Sequence, residues 1–141
     1  MTIDKASQKS QAKILIFEDD QEIAKVLELR LGLAGYNTQA AHNGRDGLDM
    51  IAGFEPDVIL LDLRMPIMGG IEVLRELRQT SDLGTLPIII LSANVDGESK
   101  RIAQKLGARY FIDKPYEASR LLSLVGNVLE TSCQIALTDS D

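Results

Sequence analysis

The sequence predicts an open, doubly wound α/β fold, and three observations predict it: continuous apolar runs at three places, each run stopping at a polar or acidic residue, and amphipathic helical stretches between them. Runs such as Lys13-Ile14-Leu15-Ile16-Phe17, Val58-Ile59-Leu60-Leu61 and Ile88-Ile89-Ile90-Leu91 suit strands covered on both faces, as in a parallel sheet with helices above and below. The chain of 141 residues has room for one domain with a single substantial core.

The first twelve residues are polar and bury too little to offset the entropy of ordering, so 1–12 reads as a flexible lead-in, 13–130 as the domain and 131–141 as a frayed tail. After the first strand a helix spans about Gln21 to Ala34, with Ile23, Leu27, Leu31 and Ala34 on its buried stripe, and Gly35 ends it. Tyr36 to Ala41 makes a weaker strand, interrupted by Asn37, Thr38 and Gln39, that belongs at a sheet edge. Asn43 caps a second helix from Gly44 to Ala52 that ends at Gly53. The third strand ends at Asp62, and after a Met65–Gly70 loop the third helix runs from Gly70 to Gln79 and buries Ile71, Leu74 and Leu77. Pro87 opens the fourth strand, where its missing N–H is tolerated, and Ser92 closes it. A mostly polar fourth helix, Asp96 to Leu106, has only Ile102, Ala103 and Leu106 to bury and stops at Gly107. Tyr110-Phe111-Ile112 forms the last strand, followed by Asp113-Lys114-Pro115 and a fifth helix from Tyr116 to Leu129.

Right-handed crossovers and the wish to bury the most apolar strands select the strand order 2-1-3-4-5, the flavodoxin-like (βα)5 arrangement. That order sets the ends of strands one and three side by side where the winding reverses, which is where such sheets bind ligands. Glu18 and Asp19, Asp62, Ser92 and Lys114 all converge on this edge. Singly each has a plain explanation: a turn carboxylate, a helix N-terminal acid, a loop hydroxyl or a solvated charge. Together they make a site. Carboxylates within about 4–6 Å of one another repel, and one lysine cannot balance three, so a divalent cation is called for. All candidate ligands are oxygens, which favours Mg2+. Lys114 and Ser92 suit phosphoryl oxygens, and Asp62 is left as a nucleophile able to form an aspartyl phosphate.

Here the sequence resembles the receiver domain of two-component response regulators, of the stand-alone chemotaxis-regulator type, on Glu18-Asp19, Asp62 with Pro66 and Gly70, Ser92-Ala93 and Lys114-Pro115. The resemblance implies phosphotransfer to Asp62 from the phosphohistidine of a sensor histidine kinase or phosphotransfer protein. It implies Mg2+ held by Glu18, Asp19, Asp62 and the Arg64 backbone carbonyl, and a phosphoryl contact from Ser92. Phe111 matches the family's aromatic switch and Tyr110 is off register, so helix four, strand five and helix five form the switched surface for a downstream protein. Arg64 and Asn94 occupy positions that tune dephosphorylation in the family. A phosphorelay intermediate is the alternative, and a haloacid-dehalogenase-type phosphatase a remoter one, since that family wants an acid where Arg64 stands. A flavodoxin-like flavin site is disfavoured because Glu18-Asp19-Asp20 would repel a phosphate.

The other classes are excluded more simply. With 21 acidic against 15 basic side chains and a net charge of -6, direct binding to nucleic acid or an anionic membrane is disfavoured. No apolar run of ~20 residues and no leader is visible, so the expected location is cytoplasmic. His42 as a relay site is set aside, because its edge strand offers no acidic or metal-binding neighbour in sequence, and Cys133 has no second thiol or base beside it.

Overall fold

The computed structural model describes residues 12–80, 83–92 and 97–139, with the side chains of Ser92 and 133–139 outside that description. The expected lead-in up to residue 11, the Ser92 hydroxyl, Ala93, Asn94, Asp96 and the Cys133 thiol therefore lie outside the described residues. Five strands, β1 (Lys13–Phe17), β2 (Asn37–Ala41), β3 (Val58–Asp62), β4 (Ile88–Ser92) and β5 (Tyr110–Asp113), alternate with five helices. These are α1 (Gln21–Leu33), α2 (Gly44–Phe54), α3 (Gly70–Gln79), α4 (Gly97–Lys105) and α5 (Ala118–Asp139). The strands form one parallel sheet in the order β2-β1-β3-β4-β5, as the sequence predicts.

Alternation along each strand divides the core in two. Leu15, Phe17, Ile59, Leu61, Ile88 and Ile90 meet Ile51 and Phe54 of α2, Val73, Leu74 and Leu77 of α3 and Ala103 of α4. Ile14, Ile16, Val58, Leu60, Ile89, Leu91 and Ile112 meet Leu27 and Leu31 of α1 and Leu121, Val125 and Val128 of α5. β3 is buried at every position, whereas β2 alternates between exposed and half-buried residues until Ala41, as an edge strand can.

Several sequence expectations are corrected. The buried stripe of α1 is Ala24, Leu27 and Leu31, while Ile23 is 40% exposed and Ala34 lies outside the helix, exposed. In α3 Val73 joins Leu74 and Leu77 in the core and Ile71 is only half-buried. Gly53 does not end α2: burying Phe54 adds another residue, and Glu55 takes the left-handed cap at φ 53°. β2 begins at Asn37 rather than Tyr36, and α5 begins at Ala118 rather than Tyr116. α5 also continues through Asp139 into the stretch expected to fray, because no glycine or proline interrupts 127–139. Gly35 at φ 100° and Gly107 at φ 91° do terminate α1 and α4, in the backbone region that favours glycine.

Candidate functional site

The site lies at the carboxyl edge of the sheet, and the strand register builds it. Asp62 is the last residue of β3, Glu18 is the residue after β1, and Lys114 is the residue after β5. A buried strand must bury whatever ends it unless the chain turns at once, so Glu18 is 1% and Asp62 6% exposed. They are the only buried charged side chains among the described residues. Each is satisfied on both oxygens. The Asp20 N–H donates to Glu18 Oε2 at 3.2 Å and Lys114 Nζ to Glu18 Oε1 at 3.0 Å. The Arg64 N–H donates to Asp62 Oδ1 at 2.9 Å and Lys114 Nζ to Asp62 Oδ2 at 3.1 Å. Lys114 thus crosses from β5 to join the ends of β1 and β3.

Three adjacent acids after β1 do three different jobs. Glu18 turns inward. Asp20 caps α1, its Oδ1 accepting from the N–H groups of Glu22 and Ile23 at 3.0 and 3.1 Å. Asp19 stays exposed, yet offers a carboxylate oxygen within 4.8 Å of oxygens on Glu18 and Asp62. Burial holds the Glu18 carboxyl above the usual glutamate range, and the nearby Asp62 charge adds to it, against hydrogen bonds from Lys114 and the Asp20 N–H that pull the other way. For Lys114 burial alone would depress the ammonium, but the Glu18 hydrogen bond and the Asp62 charge more than offset it, so its pKa is raised and it stays cationic. The three carboxylates fit a hard divalent cation: all donors are oxygens, one is exposed for entry, and among the described residues only one lysine is paired with them.

Gly70 has a geometric reason to be glycine. Its N–H donates to the Leu63 carbonyl at 3.1 Å, and a Cβ there would come 2.6 Å from Leu63 Cα and 2.7 Å from the Asp62 carbonyl oxygen. α3 therefore starts directly against the backbone that carries Asp62.

Of the remaining expected residues, Ser92 is aligned with Asp113 in the register, one position past the Asp62–Leu91 pair, which puts its backbone at the same edge. Arg64 is exposed beside the site. Phe111 and Tyr110 lie on opposite faces of β5: Tyr110 packs with the α1–α5 cluster, and half-buried Phe111 packs with the cluster under α4. Lys100 Nζ stands 5.2 Å from the Phe111 ring centroid. His42 was given no acidic neighbour by the sequence, but its Nδ1 is 3.0 Å from the Glu18 carbonyl oxygen. The predicted strand order, which sets β2 beside β1, was the signal that could have revealed that contact. A cleft of about 410 Å³ between α1 and α5 and one of about 740 Å³ at the opposite sheet edge are lined by neither Glu18, Asp62 nor Lys114.

Residues 14–126 match the family described as the response regulator receiver domain. The response regulator MprA of Mycobacterium avium is 37% identical over 136 residues, covering 92% of this chain and 58% of its own length. The response regulator ArlR of Staphylococcus aureus is 36% identical, covering 90% of this chain and 57% of its own. The chain therefore spans little more than half the length of these relatives. Among solved structures, the Vibrio cholerae chemotaxis protein CheY4 superposes with a TM-score of 0.79 at 30% identity, covering 84% of this chain and 98% of that one. The receiver domain of the Francisella response regulator 1452 gives a TM-score of 0.78 at 30% identity, with 86% and 99% covered. Among the described residues no helix is long and apolar enough to cross a membrane.

Proposed function

Because the chain belongs to the response regulator receiver family, we propose that its two-component role rests on Asp62 accepting a phosphoryl group from the phosphohistidine of a sensor kinase or phosphotransfer protein. The observation that carries the assignment is Lys114 bound at 3.0 and 3.1 Å to both Glu18 and Asp62, which leaves Asp62 at the edge of the sheet with a fixed cation beside it. A carboxylate oxygen of Asp62 attacks phosphorus, the phosphorus–nitrogen bond breaks, and its electron pair returns to the donor imidazole. An acyl phosphate on Asp62 results. The Arg64 N–H orients the carboxylate in the resting state, and Lys114 is placed to neutralise a phosphoryl oxygen. Glu18, Asp19 and Asp62, with the Arg64 carbonyl, would hold Mg2+, which when bound supplies charge neutralisation for the transferring group. The Ser92 hydroxyl completes the phosphoryl contacts, and Arg64 and Asn94 set how fast the phosphate is lost.

Phosphorylation is read out at α4, β5 and α5. α4 has one buried side chain among its described residues, Ala103, so little apolar contact resists its movement. Phe111 is the half-buried aromatic on that side of β5 and would follow Ser92 toward the site.

The test is incubation with a radiolabelled small-molecule phosphodonor and Mg2+. One alkali-labile phosphate per chain is expected, lost on Asp62→Asn and in excess chelator; full labelling of Asp62→Asn would refute the assignment. Phosphatase chemistry of the haloacid-dehalogenase kind is disfavoured, because the second residue after Asp62 is Arg64 and no acid takes its place.

A further inference from the structure

His42 is tied to the backbone of the acid cluster rather than to its side chains. Its Nδ1 lies 3.0 Å from the carbonyl oxygen of Glu18. A carbonyl oxygen only accepts, so Nδ1 carries the hydrogen. The neighbouring rung is made by main chain: the Glu18 N–H donates to the Ala41 carbonyl at 2.9 Å. Both polar groups of the Glu18 backbone are thus held by the end of β2. The residue after His42 is itself fixed, since Asn43 accepts from the Asp46 N–H at 2.8 Å and caps α2. His42 therefore reaches Glu18 from an anchored base.

The carbonyl it holds belongs to the peptide that joins Glu18 to Asp19, and holding that peptide plane holds the Asp19 N and Cα from which its side chain departs. Glu18 has other restraints, through Lys114 and the Asp20 N–H. Asp19 is exposed, and among the described residues its carboxylate has no hydrogen bond of its own. The backbone that carries Asp19 is therefore what keeps its side chain within reach of the other two acids.

We propose that His42 is a positioning residue for divalent-cation binding, holding the Glu18–Asp19 peptide so that the exposed Asp19 carboxylate stands ready beside the buried pair. This rests on the reading of Glu18, Asp19 and Asp62 as cation ligands. The role is one of hydrogen-bond geometry, not of ring charge, and it predicts which replacements work. Asparagine carries its amide nitrogen on Cγ, the same atom that bears Nδ1 in histidine, so it can donate from nearly the same point. Glutamine places its amide one carbon farther out and cannot.

Mg2+ is titrated into the full chain and followed by amide NMR shifts, with the metal-free melting temperature measured on the same samples. His42→Ala and His42→Gln should each bind Mg2+ about two- to tenfold more weakly, the fold-change that one ordinary hydrogen bond corresponds to. His42→Asn should return to within about twofold of the parent. At saturating Mg2+ the phosphorylation rate of His42→Ala should match the parent, because Asp62 and Lys114 are untouched. Parent-like Mg2+ affinity in His42→Ala, or an asparagine variant as weak as alanine, would overturn the proposal. So would a loss confined to the melting temperature, which marks a merely structural bond. Asp19→Asn separates the underlying reading: if it leaves Mg2+ affinity unchanged, the ligand assignment is wrong whatever His42 does.

Discussion

Replacing Lys114 by methionine keeps an unbranched stem of similar length and deletes the one cation among the described residues that pairs with both buried acids. Its ammonium is 3.0 Å from Glu18 and 3.1 Å from Asp62, and the three side chains are 19%, 1% and 9% exposed. Removing one partner from a buried ion pair costs about 3–5 kcal/mol, because the remaining charge is left uncompensated. Two acids are left here, which argues for the upper end, but Lys114 is partly solvated, which argues for the lower. A loss of about 3 kcal/mol is therefore expected in metal-free buffer, and at about 4 °C per kcal/mol for a domain of this size the melting temperature should fall by about 12 °C. Two further results follow from the same electrostatics. Adding Asp62→Asn to Lys114→Met should restore part of the loss, since one of the two stranded charges disappears. Mg2+ should raise the melting temperature of Lys114→Met more than that of the parent, because a cation in the site now answers charges that the lysine had answered. Thermal melts with and without Mg2+ on the four proteins of this cycle decide the matter. A change below about 3 °C for Lys114→Met, or equal Mg2+ stabilisation of parent and variant, would refute the view that Lys114 balances the acids.

Gly70→Ala should cost about 1–3 kcal/mol and slow phosphorylation, since its Cβ would press on the Asp62–Leu63 backbone at 2.6–2.7 Å; a variant that melts and labels like the parent would contradict the close-approach reading. Lys100→Met should raise the apparent beryllofluoride affinity about two- to fivefold, because a cation–π contact worth about 0.5–1 kcal/mol holds Phe111 in its present arrangement. An unchanged titration, read from ring resonances of Phe111, would remove that contact from the switching account.

The strands were legible because burial on both faces leaves no freedom in composition: Val58 to Leu61 can be nothing but apolar if helices cover both sides. The same pressure made the order legible, since only β2 could tolerate Asn37, Thr38 and Gln39. α1 was misread for the opposite reason. Its apolar residues cover more than one face, so periodicity could not say which face meets the sheet, and Val26, Leu29 and Leu33 remain 50%, 63% and 80% exposed. Helix ends failed at Gly53 and near Leu129, where local punctuation was outweighed by the burial of Phe54 in one case and was missing in the other.

The site shows the same division between what spacing dictates and what packing decides. Acids at two strand ends and a lysine at a third are visible as soon as the strands are, because a parallel sheet brings all its carboxyl ends to one edge. Spacing could not divide the labour within Glu18-Asp19-Asp20. Three consecutive carboxylates project in different directions once a strand turns into a helix, and the helix takes one of them: Asp20, the residue whose oxygen can reach the free N–H groups of the first turn. With Asp20 committed to α1 and Glu18 drawn under Lys114, Asp19 is the one left free to meet a cation from solvent. That assignment needs α1 to begin at Gln21 and no later. A start one residue further on would make Gln21 the cap and release Asp20 to the site, so the boundary of a helix decides which acid is available to a cation.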